Sequence, residues 1–254
     1  MKTEKIFIGI DLAWTYNNET GICFINQNGE IILLKSEVYD DSEIINIIQD
    51  IENIDEKSVT VGIDAPLIFP NDELEYRTAE RKLKSTKING FNLSSFQVSK
   101  NYMKRIYGYA RGETLTFELI NKNDKFKYTN KLFENKHEVV ETFPTGITAA
   151  LFPEIFPCKY KLKGKIADSI NGYNILYEKI YELEKLKIIK NFSKHFFKIN
   201  VKITRKEYKN IEDKLDSFLC ALGIFLVFHK KAEDIYFGDL ESGIIFLPVK
   251  ETIN

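Results

Sequence analysis

Two short apolar runs, each closed by Gly-x-Asp, constrain this chain more than any other feature. The first, Ile6-Phe7-Ile8-Gly9-Ile10, ends in Asp11. The second, Val59-Thr60-Val61-Gly62-Ile63, ends in Asp64. Apolar runs of this length predict buried strands over 5–11 and 58–64. Between them, Thr20–Asn26 and Glu30–Ser36 predict two more strands, with Asn26-Gln27-Asn28-Gly29 as a tight hairpin. Asp40-Asp41-Ser42 supplies an N-cap for a helix over about 42–54, with Ile44, Ile45, Ile47, Ile48 and Ile51 at helical spacing. The order is strand, strand, strand, helix, strand. The first three suit an antiparallel meander, and the fourth joins the first in parallel through a right-handed crossover.

The chain loses its strand period after Asp64. Ala65-Pro66 and Phe69-Pro70 break the pattern. Residues 66–136 read as a mainly helical insertion capping the strand C-termini, where open α/β sheets bind ligands. Arg77, Glu80 and Arg81 share one helix there, and a second helix is expected over about 95–109. A short strand over 138–142 follows, then a helix after Phe143-Pro144-Thr145, a basic loop at 159–164 and a long helix over 167–190. The last helix is expected over 213–230, with Leu215, Phe218, Leu219, Leu222 and Leu226 as its apolar stripe. Residues 234–237 and 243–247 suggest a closing hairpin. A single domain accounts for 1–254.

Acids recur where strands stop. Asp11 and Asp64 close their runs, Glu141 closes Val139-Val140, and Asp213 and Asp216 share a face at the head of the last helix. Acids converging there repel one another unless a cation lies between them, as when a protein holds Mg²⁺ or Mn²⁺ for phosphoryl chemistry. Each has a plainer explanation. Asp11 and Asp64 are also turn residues. Asp213 also suits a helix N-terminus, through the macrodipole. Asp216 lies beside the buried stripe and fits that explanation less well. Glu141, flanked by Val and Phe, needs a cation or strong donors, and Arg77, Arg81 or a lysine of the 159–165 loop would serve as well as a metal.

Formal net charge is -1, so overall charge selects no partner. From Lys159 to Lys209 there are 14 Lys and Arg against five Asp and Glu, either a solvated face or a footprint for a phosphate backbone. Three distant cysteines form no CxxC pair, and Cys220 reads as a core residue. The opening residues contain no signal-peptide pattern, and no apolar run is long enough to span a bilayer. A soluble, cytoplasmic protein is expected. His137, His195 and His229 lack metal-ligand spacing and read as surface or satisfied residues. Asp239 reads as a turn acid. There is no GxSxG elbow, Walker A sequence or GxGxxG turn.

In order along the chain, Gly9-Ile10-Asp11-Leu12-Ala13-Trp14, Gly62-Ile63-Asp64-Ala65-Pro66-Leu67, Arg77-Thr78-Ala79-Glu80-Arg81, Val140-Glu141-Thr142-Phe143-Pro144, Tyr160-Lys161-Leu162-Lys163-Gly164, Asp213-Lys214-Leu215-Asp216-Ser217 and Gly243-Ile244-Ile245-Phe246-Leu247-Pro248 resemble a known family. It is domain of unknown function family 429, predicted nucleases of the RNase H-like superfamily. The resemblance implies an RNase H-like α/β fold: a mixed five-stranded sheet flanked by helices, with the insertion after the fourth strand. It further implies metal-dependent cleavage of nucleic-acid phosphodiesters. Asp11 would bridge two Mg²⁺ or Mn²⁺ ions, with Asp64, Asp213 and Asp216 as further ligands and Glu141 as a fifth family-typical acid.

On this reading Lys161, Lys163 or Lys165, and Arg77 or Arg81 from the insertion, would neutralise a bound phosphate. A nucleic-acid-binding protein without catalysis is the alternative. An actin-like phosphotransferase is disfavoured, because Leu-Ala-Trp after Asp11 and Ala-Pro-Leu after Asp64 offer no glycine-rich phosphate loop.

Overall fold

The computed structural model describes residues 3–93 and 95–250. Its strands are β1 (Lys5–Asp11), β2 (Glu19–Asn26), β3 (Ile31–Val38), β4 (Ser58–Ile63), β5 (Lys87–Ile88), β6 (Phe91–Asn92), β7 (Phe126–Tyr128), β8 (His137–Thr142), β9 (Glu233–Asp239) and β10 (Gly243–Val249). Its helices are α1 (Asp41–Gln49), α2 (Thr78–Ser85), α3 (Lys100–Tyr107), α4 (Arg111–Lys122), α5 (Pro144–Leu151), α6 (Ile166–Lys185), α7 (Phe192–His195) and α8 (Arg205–Phe228).

Alternation along β1 separates two helical layers. Ile6, Ile8 and Ile10 pack with Ile44, Ile45 and Ile48 of α1 and Leu115 and Leu119 of α4. Phe7, on the other side, packs with Phe225 of α8, their rings 5.8 Å apart. Between the layers lies a mixed sheet in the order β3-β2-β1-β4-β8-β10-β9. The meander is antiparallel, and β1, β4, β8 and β10 run parallel. The expected meander, crossover and first four strands are therefore present.

The sheet has eight strands rather than the five expected. β7 pairs with residues 137–139 of β8, and β10 pairs with 141–142, so two strands share one edge of β8. The closing hairpin thus extends the main sheet, and the insertion supplies β7 as well as α2, α3, α4 and the small β5–β6 pair. The β8–β10 pairing joins strands far apart in sequence and leaves no local mark in the chain.

Capping chemistry sets the helix boundaries. Asp40 and Glu43 form a capping box that starts α1. Thr204 and Glu207 form another that starts α8 eight residues before the expected 213. Asp213 and Asp216 therefore lie in mid-helix, where the macrodipole account of Asp213 no longer applies. Among the described residues no helix is long and apolar enough to cross a membrane. His137 departs from its expectation: it is fully buried, neither ring nitrogen has a partner, and it stacks on Phe126 at 5.0 Å.

Candidate active site

Helix α8 crosses the sheet so closely that two of the strand residues beneath it must be glycine. A Cβ on Gly9 would collide with the Ser217 carbonyl oxygen, and one on Gly21 with the Asp213 carbonyl oxygen. Asp11 is opposite Gly21 in the β1–β2 register. This approach brings α8's acids to the end of β1. By the two-residue strand period Asp11 shares the α8 side with Phe7 and Gly9, and Asp64 shares it with Thr60 and Gly62. The Asp64 N–H donates to the Ile10 carbonyl at 2.8 Å, which carries the ladder one residue past β4.

Asp11, Asp64, Asp213 and Asp216 consequently form one cluster. Burial pushes the Asp11 carboxyl up to about 7, with Lys161 opposing and Asp213 adding to the rise. Burial lifts Asp216 to about 7, again against Lys161 and with Asp11 adding. Asp64 is raised well above the usual carboxylate range by burial, with Asp11 and Asp216 contributing. Asp213 is raised by burial, while the Lys209 ammonium 2.7 Å away opposes.

Lys161 supplies the cation inside this cluster. Its ammonium is paired with Asp216 Oδ2, while the Tyr160 hydroxyl donates to Asp216 Oδ1 at 2.8 Å. Burial works against the charge on Lys161, yet Asp216, Tyr160, Asp11 and Asp64 hold its pKa well above the ordinary lysine value. The loop that carries it is tied to α8. Leu162 N–H donates to Glu212 Oε2 at 2.6 Å, and the Tyr208 hydroxyl lies between the carbonyl oxygens of Tyr160 and Ser169. Tyr160, Tyr208, Lys209 and Glu212 join the site beyond the expected residues. Tyr160 heads the motif Tyr160–Gly164, and Lys209 and Glu212 lie one helical turn before Asp213 and Asp216; Tyr208 has no such signal.

Glu141 is in register with Ile63, not Asp64, so strand alternation separates it from Asp64; at the strand end it still lines one cavity with Asp64, and its charge adds to the rise of the Asp64 carboxyl. Arg77 Nη2 donates to both carboxylate oxygens of Glu141 at 2.7 Å, and Leu67 N–H donates at 3.0 Å. Burial still pushes Glu141 up to about 7, with Arg77 opposing and Glu80 adding. Arg77 is fully buried between Glu141 and Glu80, so it has no access to a phosphate, contrary to its expected role. Of the alternatives open for Glu141, Arg77 is the partner present. Arg81 is exposed on α2 and makes no ion pair among the described residues. Lys163 and Lys165 are exposed in the basic loop, Lys165 at the N-cap of α6. Asp239 accepts from Ser242 and Thr78, as a turn acid should.

Two cavities flank Trp14 at this end of the sheet. One of about 650 Å³ is lined by Asp11, Asp213, Trp14, Tyr107, Lys206 and Lys209. The other, about 330 Å³, is lined by Asp64, Glu141, Trp14, Phe96, Lys161 and Lys163. Both therefore combine carboxylates with ammonium groups and an aromatic wall.

The donor set suits a hard divalent cation, being all carboxylate oxygen. Four carboxylates face the ammonium groups of Lys161 and Lys209; burial is the main cause of their raised pKa values, and their mutual repulsion adds to it. Among the described residues, no three His, Cys, Asp or Glu side chains are gathered closely enough to hold an ion as they stand. The Lys161 ammonium takes the cationic position instead.

No curated protein and no solved structure matches this chain. A family described as Protein of unknown function (DUF429) matches residues 9–224. With that span covering most of its length, the chain belongs to the DUF429 family.

Proposed function

We propose that this protein is a divalent-metal-dependent nuclease that hydrolyses phosphodiester bonds in nucleic acid. The observation that carries the reading is the gathering of half-buried Asp11 and Asp64, at the ends of β1 and β4, with buried Asp213 and Asp216 of α8, four carboxylates against the two ammonium groups of Lys161 and Lys209. The order β3-β2-β1-β4-β8, with its antiparallel meander and parallel crossover, supports an RNase H-like arrangement.

These four aspartates would hold Mg²⁺ or Mn²⁺, which when bound activates water and stabilises the leaving oxygen. The remaining groups bind and position. Tyr160 fixes the Asp216 carboxylate through its hydroxyl. Lys161, whose side chain is 23% exposed, has solvent to move into when a metal displaces it, and there it can meet a phosphate oxygen. Lys163 on one side and Lys206 and Lys209 on the other supply positive charge along the cleft. Arg77 and Glu141 brace the wall of that cleft.

The test is cleavage of single-stranded, duplex, hybrid and branched substrates by purified protein with Mg²⁺ or Mn²⁺. The account expects activity that EDTA abolishes and that the Asp11→Asn, Asp216→Asn double variant lacks. One observation favours a second reading, a nucleic-acid-binding protein without catalysis: Lys161 already supplies a cation to Asp216. Salt-sensitive binding with no calorimetric signal for Mn²⁺ would select it.

A further inference from the structure

From the aromatic groups at the cleft we infer that the substrate is single-stranded or locally unpaired nucleic acid, whose exposed bases stack on a ledge formed by Trp14, Phe96 and Tyr107. This inference rests on the nuclease reading for its substrate class.

Trp14 stands three residues after Asp11 and lines both cavities. Tyr107 meets it edge-on, their rings 5.2 Å apart, and the Phe96 ring lies 6.2 Å from it. Phe96 and Tyr107 both come from the insertion, so the ledge spans the junction between the insertion and the strand ends. Packing accounts for part of this cluster, since Trp14 and Tyr107 lean on Phe69, Val98 and Met103. Phe96 meets Tyr102 as well, their rings 5.4 Å apart, but it remains 59% exposed beside the smaller cavity.

Charge narrows what covers the ledge. Lys206 lines the cavity on one side of Trp14 and Lys163 the cavity on the other, neither in an ion pair among the described residues, whereas Lys161 and Lys209 are paired with Asp216 and Asp213. Each lining also holds three acids, which the metal of the nuclease reading would offset. An apolar ring surface between two free ammonium groups matches a nucleotide chain, in which flat bases alternate with anionic phosphates. In a duplex the base faces are already stacked on one another, so only an unpaired strand can present them here.

Trp14 is the only tryptophan in the chain, so its fluorescence reports on the ledge directly. The wild-type protein is titrated in EDTA and again with Ca²⁺, a hard cation that an all-oxygen site accepts, against oligo(dT), oligo(U) and a DNA duplex, each of about 12 nucleotides per strand. Single strands should quench Trp14, and the duplex should not; comparison of the DNA and RNA arms identifies the sugar preferred. Phe96→Ala should weaken single-strand binding about 5- to 150-fold, and Phe96→Tyr should retain it. Duplex binding as tight as single-strand binding, no quenching, or no effect of Phe96→Ala would each overturn the ledge. Metal-dependent duplex cleavage without quenching would remove the ledge and leave the nuclease reading standing. Quenching by single strands with no metal-dependent cleavage would support the ledge and remove the nuclease reading.

Discussion

The Lys161 ammonium is paired with Asp216 where the ends of β1 and β4 meet α8. A protein side chain thereby holds the place in which the surrounding acids call for a cation. Lys161→Met should leave that cluster with Lys209 as its remaining ammonium. The metal-free variant should lose on the order of 3 kcal/mol of stability, and saturating Mn²⁺ should restore more of it than in wild type. Chemical denaturation with and without Mn²⁺ measures both. Equal loss at every Mn²⁺ concentration would mean that lysine and metal do not share the position.

The raised carboxyls predict an unusual pH dependence. Asp11 and Asp216 release their protons near 7 when folded but near 3.8 when unfolded. Between those values the folded state binds more protons, so stability falls as pH rises through that window. Lys161 is raised from 10.5 and titrates outside it. Without metal, the melting temperature should be higher at pH 5 than at pH 8. Added Mg²⁺ or Mn²⁺ should stabilise more at pH 8, where the acids are ionised. A flat or rising profile in EDTA contradicts the assignment.

Arg77 should behave as a structural residue. Arg77→Met leaves Glu141 and Glu80 buried without their cation and should cost about 3–5 kcal/mol. Adding Glu141→Gln should recover part of that loss. Were Arg77 a phosphate contact instead, stability would hold and substrate affinity alone would fall.

Close approach of α8 gives another test. Gly21→Ala places a methyl group against the Asp213 backbone, so it should destabilise the fold by about 1–3 kcal/mol and shift Asp213 relative to Asp11. Thermal unfolding and Mn²⁺ affinity should change together.

Much of this arrangement is legible along the chain, because apolar period and turn chemistry act locally. The runs ending at Asp11 and Asp64 marked their strands to within a residue, and Cys220 is in the core as its surroundings implied. Contacts between distant segments are not legible that way. The pairing of β10 with β8 depends on which edge the folded sheet leaves open. Counting strand period from Val139 would have turned Glu141 away from Asp64, but only with the β4–β8 register known. Lys161 looked like one basic loop residue among several, and only the anchoring of Tyr160 and Leu162 on α8 singles it out.

Anomalous diffraction from a crystal soaked in Mn²⁺ tests the central claim most directly. The account predicts Mn²⁺ density bounded by Asp11, Asp64, Asp213 and Asp216, with the Lys161 ammonium moved off Asp216 toward solvent. Absence of Mn²⁺ from the cluster at saturating concentration, with Lys161 still paired to Asp216, would contradict it.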